Sequence, residues 1–178
     1  NISAPATGLV IELGLAVQDL GLAGIAATPP YYYPSAQDEL LDHFRYIQDR
    51  LDVPLWIYNI PSTVKTVVEP ATVATLAAEG TVVGIKDSSG AGEPLAQLNL
   101  LCEEGDFELY RFIGTTHRIG TATGVGVHGV IPSIATLVPA AAASAWEAGD
   151  AGDSVAALGS QSKVTTASKV TRLATGGG

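Results

Sequence analysis

Five short apolar runs punctuate the chain, separated by longer stretches in which apolar residues recur at helical spacing. The runs are LAGIAAT (22–28), VPLWIYN (53–59), TVVGIKD (81–87), FELYRFIG (107–114) and VHGVIPS (127–133). Their length and turn-forming flanks predict buried strands. The first three recur about every thirty residues, the length of a βαβ unit. The intervening segments carry helix signals. Ser35 is the expected N-cap of a helix with Leu40, Leu41, Phe44, Ile47 and Leu51 on one face, and Asp38 acts as a short-armed capping-box partner. Pro70 opens PATVATLAAE and Gly80 closes it; Pro94 opens a helix with Leu95, Leu98 and Leu101 on one face. Pro139 opens PAAAASAWEA, which Gly149 is expected to close, and a further helix follows from Ser154. The final TGGG (175–178) is expected to fray.

Strand–helix alternation predicts a parallel sheet covered by helices. A doubly wound sheet would carry a glycine-rich turn after its first strand, but TPPYYYP stands there instead. In a (β/α)8 barrel, functional residues gather at the C-terminal ends of the strands. Thr28 and Tyr31, Tyr58 and Asn59, Lys86 and Asp87, Thr115 and Thr116, and Ser133 do so here. The barrel is therefore favoured, although five strands fall short of the eight that close one.

Composition narrows the function. The 178 residues are 47% hydrophobic and 15% charged, so a sizeable core is expected. The net charge of −9 argues against a nucleic-acid partner, which needs a basic face. Cys102 is the sole cysteine, which excludes an internal disulfide and fits a cytoplasmic setting; Leu98 and Leu101 beside it predict burial. No apolar run reaches the ~18 residues of a membrane span, and NISAPATG lacks the pattern of a signal peptide. The chain contains no Met, and a start inside a larger gene product is expected. His43 is expected on a helix surface. His117 and His128 lie eleven residues apart without a third ligand, so neither a metal nor another cofactor is expected.

Lys86 is the residue that the apolar pattern does not accommodate, because the strand before it drives an amine toward the core. One reading pairs it with Asp87 at the strand end. The other places it in a pocket with Tyr58 from the preceding strand. A lysine amine held neutral attacks a ketone, and the iminium so formed draws electrons from a neighbouring bond. A tyrosine hydroxyl can serve as the proton relay such chemistry needs.

IYNIP (57–61) and GIKDSSG (84–90) resemble the dihydrodipicolinate synthase/N-acetylneuraminate lyase superfamily of pyruvate-type class I aldolases, and the 28-residue step from Tyr58 to Lys86 matches the family's own. TPPYYYPS (28–35) resembles its loop after strand 4, FIGTTH (112–117) its strand 7, and GVHGVIPSIATLVP (126–139) its strand 8 and the start of helix 8. The resemblance implies that residues 1–178 form one partial barrel domain, from about helix 3 to helix 8 and part of the C-terminal helical extension. It also implies that strands 1–3 are missing, with the glycine/threonine loop that binds the keto-acid carboxylate.

By the same resemblance, Lys86 is the Schiff-base residue and Tyr58 the relay, while Gly114 and Ile131 line the pocket through their backbones. Tyr31, or Tyr32 as the alternative, reaches into a neighbouring subunit of a homo-oligomer, dimer or tetramer. Thr63 stands where the family's dihydrodipicolinate synthases carry a carboxylate-binding arginine, and Lys65 lies two residues on. A hydroxylated substrate is therefore expected: a 2-keto-3-deoxy sugar acid such as 2-keto-3-deoxygluconate, cleaved or dehydrated. The alternatives are condensation of pyruvate with aspartate semialdehyde, and a catalytically incomplete fragment that serves as an oligomerising scaffold.

Overall fold

Strand and helix alternate through residues 1–174, the part of the chain that the computed structural model describes. They form two compact units, Asn1–Arg111 and the residues from Phe112 onward. The first contains α1 (Thr7–Val17), β1 (Ile25–Ala27), α2 (Gln37–Gln48), β2 (Leu55–Asn59), α3 (Pro61–Val64), α4 (Pro70–Ala78), β3 (Gly84–Asp87) and α5 (Glu93–Gly105). Each predicted apolar run of this unit supplies a strand shorter than the run itself. The strands pair in parallel and in chain order, Ile25 opposite Leu55 and Ile57 opposite Ile85. Ahead of α1, the Ile2 N–H donates to Ala26 O at 2.9 Å, so the first residues run along the outer edge of β1.

Side-chain alternation sorts these strands into two faces. Leu55, Ile57 and Asn59 of β2 are buried, as are Ile85 and Asp87 of β3. Ile85 and Asp87 line a small cavity with Val73 of α4 and Leu95 and Leu98 of α5, which fixes this as the helix-covered face. Trp56, Tyr58 and Lys86 occupy the opposite face and are half-buried. The buried face of α2, with Leu40, Phe44 and Ile47 fully enclosed, supplies much of the remaining core.

Two expectations for α2 are corrected. Its N-cap is Ala36 rather than Ser35, and Glu39 rather than Asp38 reaches back, its Oε2 accepting the Ala36 N–H at 2.8 Å. Glu39 is at the third helical position, where its longer arm spans the turn. His43 is also inside rather than on the surface, with 5% of its area exposed. It follows Leu40 by three residues and precedes Ile47 by four, so it falls on the apolar stripe.

β4 (Tyr110–Ile113) begins in the first unit, where the Tyr110 N–H donates to Val83 O, and continues into the second. There it pairs in parallel with β5 (Gly129–Val130), Phe112 opposite Gly129 and Ile113 opposite Val130. Tight helical turns occupy Thr116–Val125 and Ser133–Thr136, followed by α6 (Pro139–Asp150) and α7 (Ser154–Ala174). The core of this unit comprises Ile119, Ile134, Ala142, Ala145 and Val164.

Gly149 does not close α6, which runs one residue further, and Gly152 takes the left-handed conformation instead, with φ +75°. Gly149 is small because a Cβ there would lie 2.6 Å from Gly120 O. Gln161 of α7, nearly buried, accepts the Gly120 N–H at 3.0 Å and donates to Thr116 O at 2.9 Å. The expected fraying of 175–178 lies outside the described residues. Among those residues no helix is long and apolar enough to cross a membrane. Parallel strands paired in chain order, each followed by helix, are the architecture of a (β/α)8 barrel, of which the described residues supply five strands.

Candidate active site

Tyr58 and Lys86 are direct register partners at the C-terminal ends of β2 and β3. Both point to the face away from the covering helices, and the Lys86 Nζ lies 4.2 Å from the centroid of the Tyr58 ring. An ammonium over an aromatic face is attracted by the ring quadrupole. The same placement brings an amine and a phenol to one spot. The alternative pairing of Lys86 with Asp87 is not made among the described residues, since successive strand residues face opposite ways and Asp87 is engaged elsewhere.

Asp87 and Asn59 are the next register pair, with 1% and 2% of their areas exposed. Asn59 Nδ2 donates to Asp87 Oδ2 at 2.7 Å, and Asn59 Oδ1 accepts the Val68 N–H at 3.1 Å. Asp87 Oδ1 accepts both the N–H and the hydroxyl of Ser89, at 3.0 and 2.6 Å. A buried carboxylate is tolerated when its lone pairs are taken up in this way. In the sequence, Asn59 and Asp87 stand out only as polar strand-end residues. The signal that joins them is the 28-residue step they share with Tyr58 and Lys86.

Beneath the Tyr58–Lys86 pair, toward the strands' N-terminal ends, Trp56 stands opposite Gly84. Its ring spreads over both flanking strands: a Cβ on Gly84 would collide with it, and one on Gly24 would lie 2.7 Å from its Nε1. Trp56 also stacks on Tyr110, with centroids 5.9 Å apart and planes at 19°.

The loop after β1 is anchored from below. His43 Nδ1 lies 2.9 Å from Thr7 Oγ1, and its Nε2 lies 3.3 Å from Thr28 O. Because a carbonyl only accepts, Nε2 carries the proton and Nδ1 accepts the Thr7 hydroxyl. Burial pushes the His43 pKa down to about 4, with the Thr28 carbonyl opposing the shift. Thr28 also donates its N–H to Ser3 Oγ at 2.9 Å. Beyond it, Tyr31, Tyr32 and Tyr33 are all exposed, and the rings of Tyr32 and Tyr33 meet edge to face.

Thr63 lies on the short helix α3 immediately after β2, with its side chain exposed. Lys65 caps that turn in the left-handed region, at φ 63°, and its Nζ donates to Ser62 O at 2.8 Å, so its amine folds back on its own turn. Gly114 and Ile131 belong to the second unit. The Ile131 N–H donates to Ile113 O at 2.9 Å, which sets Ile131 beside the end of β4, where Gly114 follows. The Ile131 side chain is exposed. Cys102 is buried as expected, and burial raises its thiol pKa despite the neighbouring Arg111. Among the described residues, no group of three or more His, Cys, Asp or Glu is placed to hold a metal ion.

The profile of the Dihydrodipicolinate synthetase family matches residues 1–174, and the chain belongs to that family. It is 34% identical over 143 residues to 4-hydroxy-tetrahydrodipicolinate synthase 1 of Streptomyces coelicolor, a match that covers 80% of this chain and 45% of the relative. The dihydrodipicolinate synthase from Aquifex aeolicus superposes with a TM-score of 0.86 at 23% identity, over 96% of this chain and 57% of that one. The chloride-inhibited dihydrodipicolinate synthase from Acinetobacter baumannii, complexed with pyruvate, gives 0.83 at 25% identity, over 94% and 57%. The chain thus spans about half the length of the relatives it matches. The fold is accordingly that of part of a (β/α)8 barrel, and the family resemblance read from the sequence holds.

Proposed function

We propose that the protein acts through a class I aldolase or lyase site in which Lys86 forms a Schiff base with a 2-keto acid. The amine adds to the ketone, the carbinolamine loses water, and the iminium accepts the electron pair of a breaking C–C bond or, in a dehydration, of the α C–H bond. In the dehydration the enamine then expels hydroxide from the β carbon, and the C–O pair leaves with oxygen. Tyr58 passes protons to and from the reacting oxygen. The observation that carries this reading is the Lys86 amine held 4.2 Å over the Tyr58 ring at the C-terminal ends of adjacent parallel strands. Pyruvate, which the Acinetobacter relative binds, is the simplest substrate of this class. The exposed Tyr31–Tyr33 loop serves the contact between subunits of a homo-oligomer.

Substrate preference rests on Thr63. A hydroxyl cannot make the forked, charge-assisted contact of a guanidinium, and the Lys65 amine is turned onto Ser62 O. This supports a hydroxylated 2-keto-3-deoxy sugar acid, such as 2-keto-3-deoxygluconate, over aspartate semialdehyde. The synthase name of the Streptomyces relative favours the second reading, condensation of pyruvate with aspartate semialdehyde.

Borohydride reduction in the presence of pyruvate tests the chemistry. A stable adduct is expected on Lys86, located by peptide mass spectrometry and lost in Lys86→Arg. An adduct on another lysine would take the role from Lys86, and none would remove the Schiff-base reading and leave that of a scaffold. Comparing kcat/KM for the two reactions, in a chain extended to the relatives' full length, decides the substrate. Preference for aspartate semialdehyde would overturn the role given to Thr63.

A further inference from the structure

We propose that Asn59 and Asp87 are positioning residues: a buried donor–acceptor clamp that holds Lys86 against Tyr58 and ties the loop bearing Thr63 to the same frame. The inference deepens the Schiff-base reading and rests on it for one of its two readouts.

Asn59 and Asp87 each directly follow one of the two functional side chains, and they face the opposite side of the sheet. Their bond therefore closes the far side of the strand ends whose near side carries Tyr58 and Lys86. Three further segments attach to the pair. Asn59 Oδ1 takes the Val68 N–H, which fixes the far end of the 61–67 loop. Asp87 Oδ1 takes both donors of Ser89, which fixes the turn after Lys86. The Ser88 N–H donates to Asn59 O at 2.8 Å, carrying the β2–β3 ladder past Lys86 and Asp87 to the start of the next turn. The two side chains are assigned opposite hydrogen-bonding roles. Asn59 must accept from Val68 and donate to Asp87, whereas Asp87 must accept on both oxygens. An amide meets the first requirement and a carboxylate the second.

That asymmetry supplies the test. In Asp87→Asn the new amide cannot accept from both Ser89 and Asn59, so two donors oppose each other. In Asn59→Asp two carboxylates face one another. The reciprocal exchange, Asn59→Asp with Asp87→Asn, restores every bond: the carboxylate now on β2 would accept from Val68 and from the amide now on β3, whose oxygen would accept from Ser89. Volumes are nearly unchanged throughout.

The first readout is the rate of pyruvate trapping on Lys86, measured where circular dichroism shows each variant folded. Each single variant is expected to lose about 10- to 100-fold, the scale of a sub-ångström to ångström misplacement, and the exchange to recover to within a few-fold. The second readout needs no chemistry. The Lys86 Nζ lies over the Tyr58 ring, so the protons of the adjacent Cε should show an upfield ring-current shift in NMR spectra. That shift is expected to be lost in both single variants and to return in the exchange. A purely structural pair would lower melting temperatures without moving either readout in the folded protein. Folded single variants that keep the parent's shift and trapping rate, or an exchange that restores neither, would overturn the proposal. If the parent traps no keto acid, the Schiff-base reading fails separately, and the ring-current pattern decides the clamp: loss and return support it, and persistence sinks it.

Discussion

In the first unit Trp56 of β2 lies over Gly84 of β3, and in the second Phe112 of β4 lies over Gly129 of β5. Each unit thus fills one face of a strand pair with an aromatic ring from one strand and the absent side chain of the next. Beyond that shared device they diverge. The first unit supports its strand ends with buried directional bonds: Asn59 to Asp87, and His43 to Thr7 and Thr28. In the second, small residues approach closely, Gly120 against Gly149 and Ala157, beside an apolar core, and Gln161 and Thr123 add polar ties. Apolar contact fixes how near two elements come but leaves side-chain direction loosely set, whereas hydrogen bonds set direction. The directional bonds lie where an amine must meet a phenol.

The strongest way to break this contrast is to remove chemistry from the first unit without touching its packing. Tyr58→Phe keeps the ring beneath Lys86 and deletes the hydroxyl. Pyruvate trapping is expected to slow by about 10²- to 10⁴-fold, with the melting temperature and the Lys86 ring-current shift preserved. An unchanged rate would transfer the relay to another group.

A smaller effect is expected from acid. The His43 pKa is about 4 in the folded protein against 6.5 unfolded, so between these values the unfolded chain binds more protons. Its contribution to stability is complete above about pH 6.5 and is lost as the pH falls through 4. The full difference is about 3 kcal/mol. Urea midpoints at pH 7 and pH 4.5 should differ less in His43→Gln than in the parent. An equal difference would place the acid sensitivity elsewhere.

The shared device can be tested in both units by overpacking, at about 1–3 kcal/mol each. Gly84→Ala should destabilise, and adding Trp56→Leu should recover most of the loss; Gly129→Ala with Phe112→Leu should behave alike. Gly149→Ala, whose Cβ would meet the backbone at Gly120, should have no such side-chain rescue. Equal rescue at all three sites would show that the second unit is not constrained by backbone approach. The smallest effect belongs to the exposed Arg45–Glu79 pair, bonded at 2.9 and 2.6 Å. Glu79→Gln should move the melting temperature by no more than about 2 °C, and by less in high salt.

The contrast also explains what the sequence discloses. Strands are legible because an apolar run between turn residues has few other uses, and Tyr58 and Lys86 because family motifs frame them. The boundaries and the supports are less legible. Ser35 carries a capping side chain, but the helix begins one residue later and is closed by Glu39, a choice made by chain geometry. Gly149 resembles a stop signal because glycine marks both left-handed turns and close contacts, and only the position of Gly120 distinguishes them. Residue type alone puts His43 outside, although its spacing to Leu40 and Ile47 sets it on the buried stripe. The Asn59–Asp87 bond is hidden because two polar residues at strand ends look alike whether they face solvent or each other.

The chain has two tryptophans, and they fall one to a unit: Trp56 on β2 and Trp146 on α6. Trp56 shares a strand face with Tyr58, two residues away, and is stacked on Tyr110. Replacing Trp146 by Phe would therefore leave a single indole fluorophore one layer below the Lys86 amine. Its emission would follow the arrival of a ligand in real time, without a label and without any reduction step to freeze the product.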